Sequence, residues 1–191
     1  MLQEKIISPE FTLRYYQQFP DDIQAIKTKA FQHSILTQSA QKLDDEGVKC
    51  GLFFKGEFLA GLTITANLKV VEDWSRNAIQ MRGPYSFFMR GFQNEVYKNG
   101  AGLNGLFLAI LSSIQSEVAY YTSVRPKNNR IKEFLAFSGF LAKSSFDSYH
   151  TQITKIELEL FEFDATHFIK INEKRETIIS VLRQRLQELA S

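Results

Sequence analysis

The residues with the clearest chemical potential form a glycine-containing loop ahead of an apolar segment. The loop Lys98-Asn99-Gly100-Ala101-Gly102 precedes the apolar run from Leu103 to Ile114. A helix that begins here would present unpaired backbone N–H groups and the positive end of its dipole, and both attract phosphate. Gly100 and Gly102 carry no Cβ atom that would keep a pyrophosphate away. The loop therefore predicts a phosphate-binding turn, although a plain turn would need the same glycines.

The glycine spacing matches neither of the two common nucleotide-binding patterns. A Walker sequence ending in Gly-Lys-Ser/Thr is absent from the loop, and the run from Gly100 to Gly105 lacks the acidic partner of a Rossmann unit. A dinucleotide site is therefore not indicated.

A second informative segment follows the next predicted strand. Val124-Arg125-Pro126-Lys127-Asn128 ends that strand, and Gly139-Phe140 comes eleven residues after Asn128. Asn128 or Asn129 can cap a helix that runs to Ser138, and Gly139 suits the position just beyond its end.

Together with the strand order, these two segments resemble the GNAT superfamily of N-acetyltransferases over roughly residues 11–163. The family's first motif, Gln/Arg-x-x-Gly-x-Gly/Ala, stands here as Tyr97 to Gly102, with Tyr97 where Gln or Arg is usual. Its second motif, Val-x-Pro-x-Asn, stands as Val124 to Asn128. The following helix ends in a run similar to the family's, from Phe134 to Phe140.

The resemblance implies an enzyme that transfers acetyl from acetyl-CoA, or another acyl group from its acyl-CoA, to a primary amine of a small molecule or peptide. The amine would attack the thioester directly in a ternary complex. Backbone N–H groups would hold the pyrophosphate, a strand edge would pair with the pantetheine amides, and the Asn128 side chain would reach the pantetheine arm. Asn128 as an ordinary helix cap would need no ligand. The implied coenzyme site consists of Gly91, Phe92, Gln93, Lys98, Asn99, Gly100, Ala101, Gly102, Leu103 and Asn128.

The residues for proton transfer depart from the family pattern. Many members use a tyrosine as general acid four residues before the glycine of Gly-Phe, and Leu135, which cannot donate a proton, stands there. The strand Tyr85–Gln93 has no carboxylate, and Arg90 is its only charged residue. In the GNAT family the fourth and fifth strands of the sheet splay apart. We predict Tyr121 as the catalytic residue, because it lies on the fifth strand and borders that opening. The alternative candidates are Glu72, Asp73, Glu95 and Tyr120. The three carboxylates could equally be solvated surface residues, and the tyrosine could equally pack in the core.

Two other functions stay open at this point. The missing acid and base would suit a non-catalytic acyl-CoA-binding module. A cluster of aromatic residues would suit a long-chain acyltransferase that takes its acyl group from acyl-CoA or an acyl carrier protein. Burial between two layers explains the same aromatic residues without a channel. They are Phe53, Phe54, Phe58, Phe87, Phe88 and Phe92.

Composition narrows the classes of function that remain. The net charge of +2 from 23 basic and 21 acidic side chains is too balanced for a nucleic-acid footprint. Three scattered histidines and a single cysteine, Cys50, predict no metal site and no internal disulfide. The absence of a secretory signal and of a long apolar run predicts a cytoplasmic protein that does not cross a membrane.

Periodicity and turn residues predict the order of strands and helices along the chain. With that order, the GNAT resemblance implies an α+β fold of three layers, in which helices flank a mainly antiparallel central sheet of about seven strands. The strands are expected at 11–19, 48–55, 58–67, 85–93, 118–124, from 140, and 152–163, the last with a bulge near Leu160. The second and third would form a hairpin with the turn Gly56-Glu57. Helices are expected from Pro20, at 37–45, 102–116 and 128–138, and residues 68–84 read as a loop or a short helix.

We divide the chain into an acyl-CoA-binding acyltransferase domain, residues 1–165, and a C-terminal extension, residues 166–191. An amphipathic helix is predicted over Glu173–Ala190, with Ile178, Leu182, Leu186 and Leu189 on one face. This apolar stripe must be covered by its own domain or by a second copy in a homodimer.

Overall fold

A computed structural model describes residues 1–32, 38–75, 79, 85–96, 101–111, 119–149, 155–163, 176–177, 180 and 183–184. None of the helices in these ranges is long and apolar enough to cross a membrane.

One sheet of eight strands organises the molecule, in the order β1-β2-β3-β4-β5-β6-β8-β7. All neighbours pair antiparallel except β5 and β6, which run parallel. The strands are β1 Gln3–Ile6, β2 Phe11–Tyr16, β3 Val48–Phe54, β4 Glu57–Thr65, β5 Tyr85–Gln93, β6 Ala119–Val124, β7 Phe140–Tyr149 and β8 Lys155–Phe163.

Helices cover both faces of this sheet. They are α1 Asp21–Ala30, α2 Gln38–Glu46, α3 Leu68–Ser75, α4 Ala101–Leu111 and α5 Asn129–Phe137. Successive strand residues point to opposite faces. Phe88 packs in the core cluster that contains α4 and α5 residues, whereas Phe87 packs in the cluster that contains α3. Phe53 lies with α1 residues, and its neighbour Leu52 lies in the α4 cluster. The predicted three-layer α+β fold is therefore confirmed.

The structure adds one strand to the sequence-based expectation and decides between two predicted alternatives. Strand β1 adds an eighth strand at the sheet edge, and its charged, exposed residues give no apolar pattern that would reveal it. Helix α3 forms within the segment predicted as a loop or short helix. Pairing with β2 and packing of Val71 in the core, rather than local sequence, hold these two elements.

The β3–β4 hairpin forms as predicted, but its turn lies one residue earlier. Phe54 pairs with Glu57, so the turn residues are Lys55 and Gly56. Both have positive φ, 49° and 88° respectively. A two-residue turn with positive φ at both positions matches the twist of the flanking strands, and Gly56 adopts it freely.

An apolar stripe of Ile23, Ile26, Ala30 and Phe31 is the expected buried face of α1. Three of the four pack in the core cluster that contains Phe92, whereas Ala30 is exposed. Lys27 is buried as well, and its ammonium reaches a carboxylate of α2, as described below. The expected bulge near Leu160 is present on the partner strand: the β7–β8 register shifts between Ala142 and Ser144, opposite Leu160.

Most of the C-terminal extension, including its apolar stripe, lies outside the described residues. The described residues of the extension have helical backbone, and Arg183 Nε forms an ion pair with Glu10 Oε2. This contact joins the extension to the segment between β1 and β2.

Candidate functional site

The site is built where the parallel strands β5 and β6 separate. Their pairing runs from Tyr85–Ala119 to Phe88–Thr122 and ends there. The Thr122 hydroxyl donates a hydrogen bond to the carbonyl of Phe88, with an Oγ1 to O distance of 3.1 Å. Beyond that point β5 continues to Gln93, paired with β4 on its other side. Its edge toward β6 is therefore free of strand pairing among the described residues.

A bulge in β5 marks the start of this opening. Thr63 of β4 pairs with Met89 and Gly61 pairs with Phe92, so the register shifts between them. Arg90 occupies the bulge with a φ of 55°, in the left-handed region that side chains rarely adopt. Bulges bend a strand and redirect its side chains, and here the bend carries β5 away from β6.

A cavity of about 340 Å³ occupies the opening. This volume is within the range of small-molecule sites in proteins. Its lining includes α4 and α5 side chains from one face of the sheet and Phe31 and Leu158 from the other, so the cavity extends through the sheet. It is lined by Phe31, Leu62, Phe88, Met89, Arg90, Gly91, Leu103, Phe107, Thr122, Ser123, Val124, Arg125, Asn128, Ile131, Leu135 and Leu158.

The structure brings part of the predicted coenzyme site to this cavity. Gly91, Leu103 and Asn128 line it, whereas Phe92 is buried against α1 and its neighbours. Gln93 is half-buried at the end of β5. Residues 97–100, which include the predicted Lys98, Asn99 and Gly100, lie outside the described residues.

The two described glycines of the site serve close packing. A Cβ atom on Gly91 would lie 2.8 Å from Leu103 Cδ1, so the glycine admits the first turn of α4 against β5. A Cβ atom on Gly102 would lie 3.1 Å from the carbonyl oxygen of Leu59. We expected Gly102 to make room for a pyrophosphate, but its missing side chain points at strand β4. Its role is close approach of the helix to the sheet. Ala101 begins α4.

Asn128 caps α5 and also faces the cavity. Its side chain accepts a hydrogen bond from Ile131 N at 3.4 Å, while its NH₂ group is free of hydrogen bonds to other described residues. Both interpretations of this residue are therefore compatible with the structure. Gly139 follows the helix with a φ of 90°, as its predicted position requires.

The predicted proton-transfer residues lie apart from the cavity. Tyr121 is not among the lining residues; it packs with Tyr85 in the α3 cluster. Its hydroxyl donates to Glu162 Oε1 at 3.0 Å. Glu95 is exposed and pairs with Lys29 at 2.6 Å. Leu135, at the family's tyrosine position, is fully buried and lines the cavity.

A buried ionic cluster borders the cavity, and no pattern in the sequence predicted it. Lys27 Nζ donates to both carboxylate oxygens of Asp44 at 2.7 Å, and Thr63 Oγ1 donates to Oδ1 at 2.6 Å. Arg90 Nε lies 3.7 Å from Asp44 Oδ2. The ammonium of Lys49 donates to the backbone carbonyls of Asp44 and Gly47.

The charges of this cluster affect its protonation. Burial by itself would raise the pKa of Asp44, but hydrogen bonds from Lys27 and Thr63 and the nearby positive charges outweigh it, so the pKa is lowered. Burial lowers the pKa of Arg90, and the charge of Asp44 opposes that change. A guanidinium stays protonated under such a shift.

The six phenylalanines considered for a channel are distributed among the core clusters. Phe53, Phe58 and Phe92 pack with α1, Phe87 packs with α3, and Phe54 stacks near Phe11. Among the six, only Phe88 lines the cavity. In the described part of the chain, no group of three His, Cys, Asp or Glu side chains could hold a metal ion.

Comparison with known proteins found no matching family model and no matching curated protein. Solved structures do match. An uncharacterized protein from Bacillus halodurans is 14% identical, with a TM-score of 0.62, over 86% of this chain and 90% of that one. RimL, a ribosomal L7/L12 alpha-N-protein acetyltransferase in complex with coenzyme A, is 10% identical, with a TM-score of 0.59, over 85% of this chain and 99% of that one.

A GNAT-family acetyltransferase from Streptococcus agalactiae is 8% identical, with a TM-score of 0.53, over 79% of this chain and 94% of that one. Because the sequence identity is low while the coverage is extensive, these structures resemble this chain in backbone fold rather than in side chains. The chain has the fold of the GNAT acetyltransferases.

Proposed function

We propose that this protein is an N-acyltransferase that binds acyl-CoA in the cavity between β5 and β6 and transfers the acyl group to a primary amine. The observation that carries the proposal is the divergence of two parallel strands after Phe88 and Thr122, which leaves one edge of β5 unpaired beside a cavity through the sheet. Among the structures of this fold, RimL is an alpha-N-protein acetyltransferase and was solved with coenzyme A.

The described residues can accommodate the coenzyme. The edge of β5 from Met89 to Phe92 that faces away from β4 offers backbone groups to the pantetheine amides, as an added strand would use them. Asn128 faces the same cavity with an NH₂ group that its capping hydrogen bond does not occupy. The first turn of α4, at Gly102 and Leu103, supplies the helix N-terminus that attracts the pyrophosphate. Lys98, Asn99 and Gly100 remain predicted members of this site.

In the reaction, the amine nitrogen attacks the thioester carbon, the C–N bond forms and the C–S bond breaks. One proton leaves the nitrogen and the coenzyme sulfur gains one. Backbone N–H groups near Phe92 are the proposed donors to the developing oxyanion. Among the described residues that line the cavity, none is a carboxylate or a histidine. We therefore propose that water carries the proton away, and Tyr121 as the catalytic residue remains a prediction.

The acyl group is proposed to be short. Five of the six phenylalanines that would line a long-chain channel are committed to core clusters. Acetyl is therefore the proposed group, and a small molecule or a peptide the proposed acceptor, in a cytoplasmic protein.

A non-catalytic acyl-CoA-binding module is the second candidate, because fully buried Leu135 lines the cavity where the family has an acid. Isothermal titration with CoA and acetyl-CoA, followed by thiol release over a panel of amines, distinguishes the two. We expect binding of both ligands and release of CoA thiol with at least one amine. Binding without release on every amine would favour the module, and a failure to bind CoA would contradict both.

A further inference from the structure

The ionic cluster beside the cavity carries more positive than negative charge. Lys27 and Lys49 are 4% and 5% exposed, Arg90 is largely buried, and Asp44 is the buried carboxylate they share. Lys49 donates to backbone carbonyls, which are neutral, and its other carboxylate neighbour, Asp45, is exposed. Buried charges are normally compensated by partners of opposite sign. This cluster can accept a further anion.

Asp44 does not need Arg90 as a partner. Both of its carboxylate oxygens already accept from Lys27 at 2.7 Å, and Thr63 donates to one of them. Arg90 approaches only to 3.7 Å, beyond hydrogen-bond distance. A purely structural role of Arg90 as the counter-ion of Asp44 is therefore poorly supported.

Arg90 is the member of this cluster that lines the cavity. Its guanidinium lies over the ring of Phe31, with 3.8 Å between Cζ and the ring centroid. Its Nε is buried without a hydrogen-bond partner, and its guanidinium donates to no other described residue. Such stacking fixes the plane of the guanidinium and leaves its N–H groups available at the edge.

The backbone φ angle of Arg90 also departs from the range that residues other than glycine prefer. A φ of 55° for a residue other than glycine costs on the order of 1 kcal/mol or more and persists where the surroundings enforce it. Here the bulge turns Arg90 toward α1 and α2, while Gly91 faces Leu103 on the other side of the sheet. The guanidinium is thus held at the end of the cavity away from α4.

Resting on the proposed acyltransferase function, we propose that Arg90 binds a carboxylate of the acceptor, so that the substrate is an amine that also carries a carboxylate. A guanidinium edge matches a carboxylate in geometry and charge. The part of the cavity lining that the structure describes contains two arginines, Arg90 and Arg125, and no acidic side chain, so an amine with only a positive charge would enter against repulsion. The carboxylate of an amino acid or of an acidic peptide offsets that repulsion.

The test compares amino acids with their amides, in thiol-release assays with acetyl-CoA and in titrations with and without CoA. The amine of an amide is less basic and hence more often neutral, so greater amine reactivity cannot explain a preference for the acid. For the wild type we expect at least one acid to exceed its amide by roughly 10-fold to 100-fold in affinity and in kcat/KM. Arg90→Gln should reduce that ratio to about one. Arg90→Lys should retain part of the preference, because a lysine supplies the positive charge but not the two parallel N–H donors of the guanidinium.

Arg14→Gln is the matched control. Arg14 also stacks on a phenylalanine, Phe53, at 4.3 Å, and pairs with a carboxylate, Glu4, at 3.3 Å, but it does not line the cavity. It should keep the full ratio. Urea unfolding of each variant shows whether it folds, and the Lys variant keeps the proposal testable if the Gln variant does not.

Three outcomes would overturn the proposal. One is a wild type that binds no amino acid better than its amide, and another is a preference that survives in Arg90→Gln. The third is an Arg90-dependent preference for succinyl-CoA over butyryl-CoA, with no preference for acids over amides among the acceptors. That result would place the carboxylate on the acyl donor. Carboxylate binding that depends on Arg90 in a protein that does not bind CoA would leave this inference standing and contradict the proposed function.

Discussion

Thr122 and Phe88 form the last connection between the two parallel strands of the sheet. The threonine hydroxyl donates to the phenylalanine carbonyl at 3.1 Å, at the final residue pair before β5 and β6 separate. Thr122 is buried, and both residues line the cavity that begins there. This hydrogen bond therefore ties the two strands together at the point where they open.

Replacing Thr122 by valine should test that role. The isosteric Thr122→Val removes the donor, so the free energy of unfolding should fall by about 1 kcal/mol in urea titrations. The position at which the strands open should also become less well defined, so CoA affinity should fall. Thr122→Ser, which keeps the hydroxyl, should resemble the wild type. Equal stability and equal CoA affinity in the valine variant would show that strand pairing alone fixes the opening.

Asn128 allows capping and coenzyme binding to be separated. Asn128→Ala should lower the free energy of unfolding by about 1 kcal/mol, because the N–H of Ile131 loses its acceptor. Asn128→Asp keeps the acceptor and should keep the stability. It has no side-chain N–H, however, so CoA binding measured by titration should weaken if the amide contacts pantetheine. An aspartate variant with unchanged CoA affinity would leave Asn128 as a helix cap alone.

Cys50 should be chemically inert in the folded protein. It is fully buried in β3, and burial raises the pKa of its thiol to about 12. At pH 8 the thiolate fraction is then on the order of one part in ten thousand. A thiol reagent should modify the native protein very slowly and should titrate one thiol per chain in denaturant. Rapid native modification that abolishes CoA release, together with an inactive Cys50→Ala, would instead indicate a covalent acyl-enzyme.

Asp44 should contribute strongly to stability, in a manner that depends on pH. Asp44→Ala leaves the charge of Lys27 buried without its partner, and such a loss costs roughly 3–5 kcal/mol. Because hydrogen bonds and nearby positive charges in the folded protein lower the pKa of Asp44 below its ordinary value, this contribution is fully present above the pKa of the unfolded chain. It is lost as the pH falls through the lower, folded pKa.

The measurement for Asp44 is the free energy of unfolding of the wild type and Asp44→Asn from pH 7 down to pH 3. The difference between the two should stay constant to about pH 4 and then shrink. A difference that is unchanged at pH 3 would mean that the folded and unfolded protein bind protons equally at this carboxyl, which contradicts the lowered pKa. One that vanishes near pH 6 would contradict the lowered pKa.

Local sequence signals determined much of this fold, because they act over a few residues. Strand β5 lies at the predicted residues 85–93, and Asn128 and Gly139 bound α5 as expected. The hairpin of β3 and β4 follows from its strand-forming residues and its glycine turn. The position of that turn was wrong by one residue, because positive φ at Lys55 depends on how the paired strands twist.

Tertiary structure decided which side chains meet. Alternation along a strand fixes that neighbours face opposite sides, but not which residues each side chain meets there. Tyr121 was predicted beside the opening, and it packs with Tyr85 in the α3 cluster. The bulge at Arg90 interrupts the alternation and turns one charged side chain toward Asp44, 46 residues away in sequence. No periodicity signals such a pair, because its energy comes from burial and geometry that exist only after the layers have packed.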